Sequence, residues 1–101
     1  MSGADEIIHQ AMRLKIMAAL NALTAQTAAI EFSRLKTLVG ATDGNLGAHL
    51  DTLAKAGYIV VEKRFEDRKP QTRVGMSPAG RRAFAEHVAY LREILDGGGD
   101  A

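Results

Sequence analysis

No cysteine occurs in the chain, which removes disulfides, iron-sulfur clusters, thiolate zinc sites and thiol nucleophiles together and suits a reducing compartment. No apolar run approaches the roughly 20 residues that span a bilayer. Met1 to Glu6 is polar and acidic where a secretory signal is basic and then apolar. A soluble, cytoplasmic protein without a membrane partner is therefore expected. Catalytic patterns are missing too: there is no phosphate-binding loop, no nucleophile elbow and no Ser/His/Asp arrangement, so no catalytic residue is assigned. His9, His49 and His87 lack close ligand spacing, which predicts neither a metal nor a cofactor.

What is present suits one domain, because 101 residues with 47% apolar content can bury roughly two-thirds of the unfolded surface. From Asp5 to Leu23, Ile8, Met12, Ile16, Leu20 and Leu23 recur at spacings of four and three, which predicts an amphipathic helix. Thr24 to Ala29 is small and polar, and Ala29 to Phe32 has room for a short strand. Ser33 then reads as the N-cap of a two-turn helix carrying Leu35, Leu38 and Val39, ended by Gly40. Thr42 caps a third helix with Leu46, Leu50 and Leu53 on one stripe, and Gly57 stops it. Two short helices around a glycine-containing turn are the sequence mark of a helix-turn-helix.

Past Gly57 the period changes. Tyr58 to Phe65 and Thr72 to Met76 read as strands of a hairpin joined by a polar loop from Glu66 to Gln71 that contains Pro70. Ser77 and Pro78 open a last helix running to about Leu95. The order is that of a winged helix-turn-helix with an added C-terminal helix, mainly α with a small β-hairpin (α+β). Residues 5–95 form the domain, and residues 96–101, with the glycine run from Gly97 to Gly99, form a disordered tail.

Several segments together resemble a family. Ile8 to Met17, Glu31-Phe32-Ser33-Arg34-Leu35, Thr42-Asp43-Gly44-Asn45-Leu46 with His49-Leu50 and Leu53, Ala56-Gly57-Tyr58-Ile59, and Thr72-Arg73-Val74 leading to Ser77-Pro78-Ala79-Gly80-Arg81 are similar to bacterial-type winged-helix transcription regulators of the MarR and ArsR kind, especially their short single-domain members. The likeness covers roughly residues 7 to 95. It implies a helix in the major groove of double-stranded DNA, a wing on the backbone or minor groove, and a homodimer built from the terminal helices. The chain departs from the commoner pattern with Gly47 and Ala48 in the third helix, where relatives often carry hydroxyl or basic residues, and with Asp43 and Asp51.

With Leu46, Leu50 and Leu53 turned inward, the helical period sends Gly44, Ala48, Asp51, Thr52 and Lys55 outward, flanked by Asn45 and His49. Small residues let a backbone lie close to base edges. The Asn45 amide matches adenine, and His49 suits a phosphate or base contact. Thr42 and Ser33, at the starts of their helices, complete the expected DNA-facing set on this side. The wing supplies charge that the net value of +1 conceals: Lys63, Arg64, Arg68, Lys69, Arg73, Arg81 and Arg82 stand against only Glu66 and Asp67. Arg68 and Lys69 at the tip, with Arg64 and Arg73 below, are the expected phosphate or minor-groove contacts.

Phe84, Val88, Leu91 and Leu95, with His87 and Ile94 beside them, form a stripe wider than one partner helix requires, and Ile7 and Leu14 lie on a second side of the first helix. These eight residues are the expected dimer interface, unless packing within one chain absorbs them. An effector of unknown identity would then act through a cleft between subunits. The competing function is a winged helix that binds another protein without DNA. The third-helix face argues against it, because it lacks the large residues that anchor protein interfaces.

Overall fold

The computed structural model describes residues 4–23 and 28–97. Thr24 to Thr27 of the expected linker and residues 98–101 of the expected tail lie outside them. The elements are α1 (Ala11–Asn21), β1 (Ile30–Glu31), α2 (Phe32–Val39), α3 (Asp43–Lys55), β2 (Ile59–Glu66), β3 (Lys69–Met76) and α4 (Pro78–Leu95). The three strands form one antiparallel sheet in the order β1-β3-β2. Helix-turn-helix, three-stranded sheet and added final helix make a winged helix of α+β class. Among the described residues no helix is long and apolar enough to cross a membrane.

Local chemistry sets the boundaries, and two differ from expectation. The first helix starts at Ala11 rather than near Asp5. The Asp5 carboxylate accepts the N–H groups of Ile7 (2.9 Å) and Ile8 (3.0 Å), and its carbonyl accepts that of His9 (2.8 Å), closing a separate turn. Gln10 is then extended, and its side chain caps α1 by accepting from Met12 and Arg13. Ile8 is nevertheless fully buried, so the apolar stripe reaches the core without helical continuity. The second helix starts one residue before Ser33: Glu31 is its N-cap, without a side-chain bond, and Ser33 lies within the first turn. Thr42 and Ser77 cap α3 and α4 as expected, accepting from the N–H groups of Asn45 and Gly80.

The hairpin is longer and its turn tighter than a loop from Glu66 to Gln71. β2 and β3 pair without interruption from Ile59↔Met76 to Glu66↔Lys69, leaving only Asp67 and Arg68 at the tip. Both adopt positive φ, 49° and 67°, the combination that matches the twist of paired strands. Pro70 is tolerated within β3 because β1 pairs only with Val74 and Arg73, so the strand is a free edge at that height.

The core is continuous. Ile8, Ile16, Met17 and Leu20 meet Leu35 and Val39 of α2, Leu46, Leu50 and Leu53 of α3, and Ile30, Ile59 and Val74 of the sheet. Each such side chain contributes about 1.5–3 kcal/mol on burial. The same core absorbs much of the surface expected between subunits: Phe84 is only 9% exposed and His87 1%, while Ile7, Leu14 and Val88 are partly buried against it. Packing within the chain buries Phe84 and His87, the latter against the turn at Asp5–His9, and leaves part of Ile7, Leu14 and Val88 exposed.

That turn is held by a polar cluster. The Asp5 N–H donates to His87 Nδ1 (3.1 Å), and the Tyr58 hydroxyl donates to Asp5 Oδ2 (2.7 Å). Burial lowers the pKa of His87, with the Asp5 carboxylate opposing and His9 adding to the shift. Burial raises that of Asp5, but bonds from Tyr58, Ile8 and Ile7 and the charge of His87 outweigh it, so the net shift is downward. The bond to Asp5, then desolvation, pushes Tyr58 up to about 12. Both His87 and Asp5 bind protons more weakly when folded, so their contribution is complete above the unfolded histidine value near 6.5 and is lost as pH falls. Tyr58 acts oppositely, its share being lost as pH rises from about 10 towards its folded value. Thermal melts should therefore show lower stability at pH 5.5 than at 7.5, and His87→Gln should flatten that difference. An unchanged pH profile in the variant would remove His87 from this role.

Candidate nucleic-acid interface

Helix α3 presents Gly44, Asn45, Gly47, Ala48, Asp51 and Lys55 to solvent, while Thr52 and His49 are half-buried. A Cβ built on Gly44 or Gly47 meets no atom within 4 Å, so neither glycine is required for packing. Glycine inside a helix costs about 0.5–1 kcal/mol relative to alanine. Two of them on one open face leave the backbone free for close approach by an external surface.

The acidic residues of this face are neutralised locally. Lys36 Nζ lies 2.7 Å from Asp43, and Lys55 Nζ lies 2.9 Å from Asp51 one turn back. Exposed pairs of this kind are worth about 0–1 kcal/mol, so a phosphate can draw the lysines away at little cost. The Thr52 hydroxyl donates to the Ala48 carbonyl (3.3 Å), and Thr42 Oγ1 is occupied as the cap. Ser33 is exposed at the start of α2. His49 turns towards α1, with Nδ1 3.4 Å from Arg13 Nη1, rather than along the open face. Among the described residues the Asn45 amide has no protein partner, which leaves its donor and acceptor available.

The basic cluster divides by strand alternation. Val61 and Lys63 share the sheet face that looks towards α3 and, with Phe32, Gly47, Asp51 and Thr72, line a hollow of about 450 Å³ between wing and helix. Arg64 and Arg73 lie on the other face. Arg64 pairs with Glu62 (2.9 Å), Arg73 is half-buried and donates to the Ala29 carbonyl (3.1 Å), and Arg81 donates to Asn21 (3.3 Å). Arg68 and Lys69 at the turn, and Lys63 below, have no partner among the described residues. Sequence reasoning missed the Lys36–Asp43 pair, which joins two helices, and the exposure of Phe65, which period-two alternation can reveal only once the register is known.

A helix-turn-helix with an open small-residue helix, flanked by a hairpin whose unpartnered cations gather at its tip, defines a winged helix DNA-binding regulator. The chain belongs to the winged helix DNA-binding domain family, matching it over residues 12–95. It is 33% identical over 90 residues to an uncharacterized protein of Methanocaldococcus jannaschii, covering 89% of this chain and 90% of that one. The fold is similar to that of a transcriptional regulator homologue from Pyrococcus horikoshii OT3, with TM-score 0.80, 26% identity and coverage of 93% and 89% of the two chains. A MarR-family structure from Porphyromonas gingivalis W83 shares the fold, with TM-score 0.70 at 18% identity over 96% and 99%. Relatives thus include archaeal proteins, and the bacterial flavour of the sequence pattern is not exclusive.

Proposed function

We propose that the chain is a sequence-specific, double-stranded DNA-binding transcription repressor that acts as a homodimer in the cytoplasm. Helix α3 enters the major groove, where Asn45 reads a base edge, and the hairpin tip meets the backbone or minor groove through Arg68 and Lys69. The observation that carries this reading is the juxtaposition of an open, glycine-bearing helix face with unpartnered cations on a projecting hairpin. Lys63 and Lys55 add phosphate contacts. Arg64, like Lys55, sits in an exposed ion pair that a phosphate can open, whereas Arg73 contributes only through the field around the wing, because it is half-buried and donates to the Ala29 carbonyl. Repression follows from occupancy, since a small dimer seated on a promoter excludes other proteins. Selection of bound fragments from random duplex DNA tests the sequence preference: a recurring half-site supports it, and an unenriched pool contradicts it.

The case for a dimer rests on the far end of α4. Ile94 is 53% exposed and Leu95 82%, with Leu91 half-buried beside them. The radius of gyration, 14.7 Å, exceeds the value of about 12.7 Å expected for a compact chain of this length, consistent with elements that project. A two-fold axis near this end would place two α3 helices about 34 Å apart, one turn of duplex. Leu91→Asp combined with Leu95→Asp should convert the protein to monomers in sedimentation equilibrium and weaken operator binding by at least tenfold. An unchanged mass distribution would reject this interface.

A further inference from the structure

We infer that Phe65 is an apolar wedge that enters the DNA minor groove and loosens the stacking of one base step, so that the wing bends its site as well as neutralising it. The inference rests on the DNA-binding reading above and adds a residue and a mode of recognition to it. Phe65 is 76% exposed, more so than Val60 (60%) and Val61 (38%) on the same strand. In the register it stands opposite Pro70, on the same sheet face. That face is the one carrying Val61 and Lys63, which turn towards α3. The aromatic ring is therefore presented on the helix side of the wing and not on its back.

Position along the hairpin fits a groove. The last rung with a buried side chain is Val61↔Val74, and β1 ends its pairing at Arg73. From Val61 to Glu66 the hairpin extends about 17 Å, taking about 3.4 Å per residue. Half a turn of B-DNA, which separates a major groove from the next minor groove on one side, is also about 17 Å. With α3 in the major groove, Phe65 and the tip arrive at the neighbouring minor groove.

Charge selects the occupant. Lys63 shares the face of the ring and Arg68 stands at the turn beyond it, both without partners among the described residues, while by register Lys69 lies on the opposite face with Glu66 and Arg64, the last paired with Glu62. An aromatic group between Lys63 on its own face and Arg68 at the turn suits a surface that is stacked and apolar within and anionic along both edges. Proteins that insert Phe or Leu between base steps repay the unstacking through a bend that brings more DNA against the protein, and pyrimidine-purine steps yield most easily.

The test uses a selected duplex carrying 2-aminopurine at pyrimidine-purine steps flanking the site, with dyes at both ends. Wild-type protein should raise the 2-aminopurine emission several-fold and shorten the end-to-end distance. Phe65→Ala should bind roughly tenfold more weakly, lose both signals, and keep the wild-type melting temperature and salt dependence. Phe65→Leu, which retains a wedge, should keep most of both signals. Emission and bending unchanged in Phe65→Ala overturn the wedge, and so does a change in the sedimentation of the free variant, which marks an association between copies. Failure of wild-type protein to bind any duplex overturns both this inference and the proposed function.

Discussion

Gly80→Ala is expected to destabilise the fold by about 3 kcal/mol or more, at the severe end for a single methyl group. A Cβ at that position would lie 2.0 Å from the Tyr58 carbonyl oxygen and 2.8 Å from its carbon, both backbone atoms that cannot rotate away. The first turn of α4 is pressed there against the corner between α3 and β2. Ser77 fixes the corner by donating its N–H to the Tyr58 carbonyl (3.0 Å) and its hydroxyl to the Gly57 carbonyl (2.6 Å). Displacing α4 would break both bonds and loosen Phe84 and His87 from the interior. The melting temperature should fall by about 12 °C or more for a domain of this size. Gly47→Ala is the control: with nothing within 4 Å of the added methyl, it should stabilise α3 by about 0.5–1 kcal/mol while weakening DNA binding. Equal melting temperatures for Gly80→Ala and wild type would mean that α4 does not dock at this corner.

The second large effect concerns affinity. Replacing Arg68 and Lys69 together by alanine removes the unpartnered cations at the turn while leaving the hydrogen-bonded ladder behind them intact. For every phosphate that is no longer neutralised, the steepness of log K against log salt falls by about 0.9. Across a dimer the double substitution leaves four such phosphates, so binding near 0.1 M salt should weaken by on the order of a thousandfold and by similar factors for every sequence. Asn45→Ala should behave differently, costing roughly 1–3 kcal/mol on the preferred site and relaxing choice at one position per half-site. Equilibrium binding of both variants to preferred and scrambled duplexes separates the roles. Weakening that is equally uniform for Asn45→Ala would remove it from base reading.

Much of the fold is legible in the sequence because its signals are local. Leu46, Leu50 and Leu53 repeat with the helical period between Thr42 and Gly57, and Ser77-Pro78 announces α4. Where local signals compete, the boundary moves. Asp5 bonds to its own backbone neighbours and closes a turn inside an otherwise helical pattern, and Pro70 suggests a loop where an edge strand admits it. The candidate site is legible in part. Alternation places Lys63 opposite Arg64 in principle, but only the register with β3 shows which face meets α3, and no sequence pattern reveals that Arg73 reaches Ala29. Long-range docking accounts for the remaining difference. Phe84 and His87 form the same helical stripe whether a partner subunit or their own chain covers them, and in the structure both are buried within the chain, His87 against the Asp5 N–H.

The central claim is that a duplex seats against the α3 face and the cationic hairpin tip. The most direct measurement is fluorescence anisotropy of a labelled duplex titrated with the folded protein across a range of salt concentrations. If each protomer neutralises about four phosphates, the log-log slope for a dimer should be about −7, with tight binding at low ionic strength. No association with any duplex at low salt, by protein whose thermal melt is cooperative, would contradict it.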